Sequence, residues 1–452
     1  MNQQITFRPL SDGKGSSLLS ASPLPDLAAA GYTDTEYAAS GVARRLVGDA
    51  DADAPPAEFT TRLVVRRPAD AAAFNGCVVV EWLNVSSGSD AAPEYSYLAA
   101  ELVRAGYAWV GVSAQYVGIE GGAGSVGVAT GEPQSLAAKD PDRYAGLHHP
   151  GDAYCYDIFR SIGLAVRGDH SGETPTPDHP LAGLAVGSVL AVGESQSAMA
   201  LTTYANTVAG DGDFDGFLIH SRAAAGLPAG EVGTGIDVST VFSGEPTTIR
   251  TDLDAPVLVV QTETDVLTNF RYHLVRQPDT DRLRVWEIAG TSHADLHQIG
   301  DFEEFLGCPD PVNRGQQRFV LRAGLRHLRA WADGGDPPPS ADPLRLRGVT
   351  TPEPEFEVDD IGNVLGGVRT PCVDAPTQVL SGVVPEPISR ICLLFGSTHP
   401  VPEHLLAERY GTRDEYEKHY RDAADAAIAA GFVLVEDRDE LIADAHPESV
   451  PE

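Results

Sequence analysis

The sequence carries very little positive charge. Only three of its 452 residues are lysine, and 65 aspartate and glutamate residues outnumber 32 lysine and arginine residues, which gives a formal net charge of −33. Nucleic acids and anionic membrane surfaces attract basic proteins, so neither is an expected partner. We interpret the acidic excess as a contribution to solubility.

Long apolar segments and closely spaced cysteines are also absent. No run approaches the roughly 18 apolar residues of a membrane-spanning helix, and the opening residues MNQQITFRPL lack the apolar core of a signal peptide. The five cysteines, at positions 77, 155, 308, 372 and 392, form no C-x-x-C pair. This distribution favours a cytoplasmic protein with reduced thiols over one with disulfide bonds or a zinc site.

Motifs for nucleotide and metal cofactors are not found either. No G-x-G-x-x-G follows a predicted strand, and the sequence has no P-loop and no H-E-x-x-H motif. His148, His149 and Asp152 offer three potential metal ligands, but adjacent histidine side chains rarely bind the same ion. We therefore predict neither a metal nor an organic cofactor.

From residue 77 onwards, short apolar strands alternate with helices. Apolar runs predict strands at residues 77–82, 107–112, 189–192, 217–220, 256–261 and 283–288. Apolar positions at helical spacing predict helices at residues 94–104, 154–166 and 313–332. This α/β alternation is typical of a mostly parallel central sheet with helices on both faces. The functional site of such a sheet lies beyond the carboxyl ends of its strands.

The two ends of the chain differ from this α/β pattern. Residues 36–47 and 59–65 predict two strands that form an antiparallel lead-in at one edge of the sheet. A proline run at residues 336–339 marks a change of composition, and the last predicted helix is at residues 413–430. We predict a core at residues 1–338 and a C-terminal lobe at 339–452 that folds back over the sheet. The proline run is also compatible with a linker to a separate domain.

The most informative stretch is residues 189–201, VLAVGESQSAMAL. An apolar strand is followed by a tight turn with Ser195 at its apex and then by a helical pattern of small residues. This arrangement predicts a nucleophile elbow, in which Gly193 leaves room for the turn. Ser197 stands where the usual G-x-S-x-G pattern has its second glycine. The alternative is an ordinary strand-to-helix turn with Ser195 as the N-cap.

A serine hydroxyl becomes a good nucleophile when a base accepts its proton and an acid orients that base. Asp265 and His293 each follow a predicted strand, at the edge where Ser195 is expected. We predict Asp265 as the orienting acid, with Glu263 as the alternative, and His293 as the base. His220 also follows a strand, but it precedes both carboxylates, so we expect it in the core or the pocket.

An oxyanion hole is expected to require two backbone hydrogen-bond donors. One is expected at the backbone N–H of Gln196. The other is expected in the loop after the first parallel strand, LNVSSGSD, at Asn84 or Val85. Five residues are candidates for the substrate pocket: Trp82, Tyr116, Tyr144, His220 and Arg369. Arg369 could bind a substrate carboxylate, and its alternative role is a surface position or an ion pair. For the other four residues the alternative is packing in the core.

The sequence resembles the α/β-hydrolase superfamily, and more narrowly a branch of long bacterial and fungal α/β-hydrolase domain proteins. The resemblance covers most of the chain and is carried by VVVEWLNVSSG, AWVGVSAQYVG, DPDRYAGLHHPGDAYCYDIF, GESQSA, DGFLIHSR, TETDV, RQPDTDRLRVWEIAGTSHAD and GNVLGGVRTPCVDAPT. It implies the α/β-hydrolase fold, a triad of Ser195, Asp265 and His293, and no cofactor. It also implies that the C-terminal lobe belongs to the hydrolase unit.

From the residues and the resemblance we expect a serine hydrolase that acts on a small-molecule carboxylic ester or lactone through an acyl-enzyme on Ser195. An acyltransferase that uses the same triad is one alternative. A non-catalytic protein that binds a small molecule is the other.

Overall fold

A nine-stranded sheet forms the centre of the protein. The structure, a computed structural model, describes residues 5–19, 24–46, 55–125, 134–168, 178–210, 212–349, 351, 353–384 and 389–452. The strands of the sheet are β1 (Thr6–Leu10), β2 (Tyr32–Ala43), β3 (Ala57–Pro68), β4 (Cys77–Trp82), β5 (Ala108–Val112), β6 (Ser188–Glu194), β7 (Gly216–His220), β8 (Val257–Thr262) and β9 (Leu283–Ile288). Their order across the sheet is β1-β2-β3-β5-β4-β6-β7-β8-β9.

Strands β4 to β9 run parallel to one another, and β1 to β3 form an antiparallel edge, in which β3 pairs antiparallel with β5. The parallel strands are apolar along nearly their whole length and almost every residue is buried, because helices cover both faces. The predicted α/β fold with an antiparallel lead-in is therefore confirmed. Strand β2 begins four residues earlier than predicted, since it pairs with β3 along its whole length, and the predicted end at Val47 lies outside the described residues.

The helices cover the sheet from two sides. They are α1 (Pro93–Arg104), α2 (Tyr116–Glu120), α3 (Leu136–Lys139), α4 (Pro141–Tyr144), α5 (Cys155–Arg167), α6 (Gln196–Thr207), α7 (Glu263–Leu267), α8 (Leu296–Ile299), α9 (Glu303–Leu306), α10 (Gln317–Ala332), α11 (Pro371–Asp374), α12 (Arg390–Phe395), α13 (Glu403–Tyr410), α14 (Arg413–Ala429) and α15 (Arg438–Ala443). Apolar side chains of α5 and α6 pack on one face, and those of α1 and α10 on the other. No helix in the described part of the chain is long and apolar enough to cross a membrane.

The C-terminal segment packs against the sheet and against α10. Val368 exchanges backbone hydrogen bonds with the end of β9, donating to Glu287 O at 2.7 Å and accepting from Ala289 N at 3.0 Å. Phe319 of α10 packs with residues of α14 and α15, and the Arg322 guanidinium lies 3.0 Å from the Asp437 carboxylate. Two short hairpins, β10 (Leu346–Arg347) with β11 (Glu355–Phe356) and β12 (Gln378–Ser381) with β13 (Ser397–Pro400), lie in this segment. The division at residue 338 stays a prediction.

Cys308 and Cys392 form a disulfide bond, so the prediction of reduced thiols is wrong for this pair. The two cysteines are 84 residues apart, and sequence spacing alone gives no sign that the fold brings them together. The bond joins α12 to the segment that follows α9. Cytoplasmic location stays a prediction, and a disulfide bond does not favour it, because such bonds persist mainly in oxidising compartments.

Candidate active site

Ser195 occupies the sharp turn between β6 and α6. Its φ is 62° and its ψ is −120°, a conformation that is strained for a residue with a side chain. The turn is held by its own backbone: Ser195 N–H donates to His220 O at 2.9 Å, and Ser195 O accepts from Met199 N–H at 3.0 Å. The strand, tight turn and helix predicted from the sequence are all present.

A glycine is required at position 193 because β6 and α6 cross closely. A Cβ atom added to Gly193 would lie 2.9 Å from Ser197 Cβ, closer than two carbon atoms normally approach. Ser197 is fully buried at this crossing. Its small side chain explains why serine can replace the glycine of the usual pattern.

Ser195, His293 and Asp265 form a continuous hydrogen-bonded row. His293 Nε2 lies 2.8 Å from Ser195 Oγ, and His293 Nδ1 lies 2.6 Å from Asp265 Oδ1. Asp265 lies on α7, directly after β8, and His293 lies in the loop after β9. The structure thus brings together the three side chains predicted from strand-end positions, at the carboxyl edge of the sheet. A row of this kind can activate a serine hydroxyl.

The second oxygen of Asp265 is held by three further donors. Asp265 Oδ2 accepts from Thr262 N–H at 2.8 Å, Thr262 Oγ1 at 2.7 Å and Ser221 Oγ at 2.7 Å. Burial by itself would raise the pKa of Asp265, but the charge of His293 and the hydrogen bonds from His293 and Thr262 outweigh burial and lower this pKa. Ser221 was not predicted, although its position directly after β7 is the signal that could have identified it.

Glu263, the alternative acid, does not contact His293. Its carboxylate accepts from Gly290 N–H at 2.6 Å and Gly382 N–H at 2.8 Å. Burial raises the pKa of Glu263 to about 7. Glu263 therefore connects the loop after β9 with the C-terminal segment.

The backbone donors predicted at Asn84 and Val85 are already occupied, which corrects that part of the prediction. Asn84 N–H donates to Ala91 O at 2.9 Å, and Val85 N–H donates to Gln196 Oε1 at 3.2 Å. By contrast, the backbone N–H of Gln196 has no partner among the described residues. The side-chain amide of Asn84 donates one N–H to Glu194 O at 3.1 Å, and its second N–H is a further potential donor beside Ser195.

Ser195 and His293 open onto a cavity of about 400 Å³. Its apolar lining residues are Leu19, Ala91, Pro93, Ala294, Ile299, Phe302, Ile391, Leu394 and Phe395. Its remaining polar lining residues are Asn84, Ser86, Ser87, Ser96, Glu194 and Gln298. The wall is therefore mostly apolar, and its polar groups come from the loop after β4, from Glu194 next to Ser195, and from α1 and α8.

None of the five predicted pocket residues lines this cavity. Trp82 is buried on the face of the sheet covered by α5, where its ring packs 4.8 Å from that of Phe159 and its Nε1 donates to Gln115 at 3.0 Å. Tyr116 begins α2, and its backbone N–H donates to Asp152 at 2.6 Å. Both aromatic side chains serve packing rather than the cavity.

Tyr144 and Arg369 are also engaged elsewhere. The Tyr144 hydroxyl donates to Glu36 at 2.8 Å, in a buried ion cluster at the antiparallel edge of the sheet. The Arg369 guanidinium binds Asp374 and the carbonyl oxygens of Val364 and Val373, all in the C-terminal segment. Arg369 is therefore held within the C-terminal segment and does not line the cavity.

His220 is fully buried beneath the elbow. Its Nδ1 lies 2.8 Å from Glu94 Oε2. Burial would lower the pKa of His220, but the charge of Glu94 and the hydrogen bond to it outweigh burial and raise this pKa. His220 contributes to the elbow through its backbone oxygen, which accepts from Ser195 N–H.

Among the described residues, Glu94, Glu194 and His220 form a group whose ligand atoms lie within 4.8 Å of one another, as in a metal site. Glu94 and His220 already hydrogen-bond each other directly, and Glu194 Oε2 accepts from Gln298 Nε2 at 2.8 Å. Burial, reinforced by the charge of Glu94, raises the pKa of Glu194 well above its usual value. The arrangement is that of a buried hydrogen-bond network next to Ser195.

Comparisons with known proteins match the chain to one family model and to several solved structures. The sequence model of a family described as "Alpha/beta hydrolase domain" matches residues 6–443. Similar solved structures include an esterase from Rhizomucor miehei, with 14% identity, 69% of this chain and 86% of that chain covered, and a TM-score of 0.33. A serine hydrolase without a lid from Xanthomonas campestris has 15% identity, with 57% of this chain and 85% of that chain covered and a TM-score of 0.30.

Est1E from Butyrivibrio proteoclasticus, with ferulic acid bound, has 10% identity, with 60% of this chain and 96% of that chain covered and a TM-score of 0.33. No curated protein matches the sequence. Because the family model spans nearly the whole chain, the protein belongs to the α/β hydrolase domain family.

Proposed function

We propose that the protein is a serine hydrolase that cleaves a carboxylic ester or lactone through an acyl-enzyme on Ser195. The observation that carries this proposal is the row of hydrogen bonds from Ser195 Oγ through His293 to Asp265. The strained backbone of Ser195, at the end of a buried parallel strand, supports it further.

In the first half of the reaction, Ser195 Oγ attacks the substrate carbonyl carbon while His293 Nε2 accepts the hydroxyl proton. Asp265 keeps the imidazole in the correct tautomer and stabilises its protonated form. The tetrahedral intermediate collapses, the bond to the leaving alcohol breaks, and His293 donates its proton to that alcohol. In the second half, water attacks the acyl-enzyme while His293 accepts its proton. The bond to Ser195 Oγ breaks, His293 returns the proton to Ser195, and the free acid is released.

The negative charge of the tetrahedral oxygen requires two donors directed at it. The Gln196 backbone N–H, at the first turn of α6, is the first proposed donor. The unused N–H of the Asn84 side-chain amide is the second, in place of the backbone N–H groups of Asn84 and Val85. Loss of one such donor typically costs about 10²- to 10³-fold in kcat, so Asn84→Ala, which removes the donor without adding a charge, tests this assignment.

The proposal is tested by labelling the full-length protein with a fluorophosphonate probe and mapping the modified residue by mass spectrometry. We expect modification of Ser195, and a sharp loss of labelling in His293→Ala. His297→Ala is the matched control, because His297 lies close to the cavity and bonds Ser96 O but takes no part in the row. Labelling of another residue, or none in folded protein, would overturn the proposal.

Product analysis separates the alternative activities that share this site. Release of the free acid from an ester, with no transfer to an added alcohol, identifies a hydrolase. Transfer of the acyl group to the alcohol would identify an acyltransferase. Retained ligand binding without turnover would identify a binding protein.

A further inference from the structure

The cavity next to Ser195 has a wall built from three parts of the chain that lie far apart in sequence. Leu19 comes from the N-terminal segment, Ile299 and Phe302 come from α8 and the turn after it, and α12 contributes a third group. The α12 residues that line the cavity are Ile391, Leu394 and Phe395. All of these side chains are apolar, so the wall excludes water from one side of the proposed nucleophile.

Positive charge is missing from this wall. None of the described lining residues is lysine or arginine, and the ionisable residues among them are Glu194 and His293. Placing a substrate carboxylate in such a cavity would remove it from water without a partner, which costs several kcal/mol. Burial also raises the pKa of Glu194 and so disfavours its charged form. A substrate cation would therefore lose its hydration and gain little attraction from Glu194 in return.

Helix α12 is held at a defined distance from the catalytic row. Ala294, next to His293, donates its N–H to Leu394 O at 2.9 Å, and Asn313 N–H donates to Phe395 O at 2.8 Å. The Cys308–Cys392 bond joins the same helix to the segment after α9. The apolar wall is therefore tied to the loop that carries His293.

We propose that the substrate of this site is an uncharged ester with an extended apolar chain, and that α12 is the wall that selects for the chain. This inference rests on the proposed function. Because a cavity of about 150 Å³ holds benzene, a cavity of about 400 Å³ has room for roughly 16 non-hydrogen atoms, including the ester group. Phe302 and Phe305, 44% and 77% exposed with ring centroids 5.9 Å apart, extend the apolar surface outwards.

The first experiment measures kcat/KM of the full-length protein on two series of esters. One series is p-nitrophenyl esters from acetate to laurate, and the other is alkyl acetates from ethyl to decyl. Burial of each methylene predicts a gain of about three- to fourfold until the cavity is full. A gain in the first series alone assigns the chain to the acyl group, and a gain in the second alone assigns it to the alcohol. Flat or falling values in both series would overturn the proposal.

The second experiment uses variants of α12. We expect Leu394→Ala to lower kcat/KM for the preferred long ester by roughly tenfold more than it lowers kcat/KM for the acetate ester. Leu393→Ala is the matched control, since Leu393 is a half-buried leucine of the same helix that does not line the cavity. Equal losses on short and long esters, or the same selectivity change in the control, would contradict a selecting wall.

A variant that fills the cavity keeps the inference testable if Leu394→Ala fails to fold. Ile391→Trp should shorten the preferred chain by several carbon atoms, while a small fluorophosphonate still labels Ser195. An unchanged chain-length preference would overturn the role of α12. If no ester is hydrolysed and Ser195 is not labelled, the proposed function itself fails. If the protein hydrolyses the acetate ester through Ser195 but shows no chain-length preference, only this inference fails.

Discussion

The row of Ser195, His293 and Asp265 and the apolar wall meet at one cavity but are built in different ways. Asp265 accepts hydrogen bonds from His293, Ser221 and Thr262, and each residue of the row lies directly beyond a strand of the parallel sheet. The wall is formed by short segments outside the sheet, held by backbone hydrogen bonds and one disulfide bond.

Because the two regions are built differently, we expect them to have different tasks. The strands that position Ser195, Asp265 and His293 are buried on both faces, so we expect packing to hold their ends in place. The wall side chains belong to segments outside the sheet, so we expect that a side chain of α12 can be replaced without displacing Ser195. Reactivity is thus expected to depend on the sheet, and substrate choice on the segments around it.

The strongest test of this separation is removal of the row itself. Ser195→Ala and His293→Ala should each lower kcat by at least roughly 10⁴-fold, and the double variant should lose little more, because the residues act as a unit. Steady-state kinetics on one short and one long ester should show the same loss for both. A loss confined to the long ester would mean that these residues belong to the wall rather than to the chemistry.

The two neighbouring acids provide the next test. Asp265→Asn should lower kcat by about 10³- to 10⁴-fold, because His293 is then held in the wrong tautomer. Glu263→Gln should change kcat by less than roughly tenfold and act mainly on stability, since Glu263 binds the N–H groups of Gly290 and Gly382. Kinetics and thermal unfolding of both variants measure this contrast. If Glu263→Gln matched the kinetic loss of Asp265→Asn, the assignment of the acid would be wrong.

Opening the Cys308–Cys392 bond perturbs the wall and leaves the row in place. Cys392→Ser should lower the free energy of unfolding by about 4 kcal/mol, as expected for a loop of this length, and should weaken long-ester hydrolysis more than short-ester hydrolysis. Denaturant unfolding and the two ester series measure these effects. Cys372→Ser is the control, because Cys372 is a free thiol. Loss of fluorophosphonate labelling at Ser195 would show that row and wall are not separable.

The smallest expected effect concerns Glu263, which links the two regions. Its pKa is about 7 in the folded protein against a usual 4.5. Between pH 4.5 and about pH 7, Glu263 keeps its proton in the folded state and releases it in the unfolded chain. The free energy of unfolding therefore falls as pH rises through this range, by up to about 3 kcal/mol, and is constant at higher pH. Urea unfolding at pH 5 and pH 8 should show a smaller fall in Glu263→Gln. An identical fall in the variant would contradict this role.

Much of the fold and of the row could be predicted from the sequence, because the patterns that indicate them lie within short stretches of the chain. Parallel strands buried on both faces appear as continuous apolar runs, and the residue after each run must lie at the same edge of the sheet. Ser195, Asp265 and His293 were identified in this way. The tight turn at Ser195 was also predicted, because Gly193 and the small Ser197 leave room for it.

The tertiary structure alone decided what surrounds the row. The choice of Asp265 over Glu263 depends on which carboxylate α7 turns towards His293. The Val85 N–H was excluded as a donor because the Gln196 side chain folds back onto it. The pairing of Cys308 with Cys392 and the wall formed by α12 depend on segments far apart in sequence. Local patterns determine where a strand ends, whereas the lining of a cavity depends on how distant segments pack and which way their side chains point.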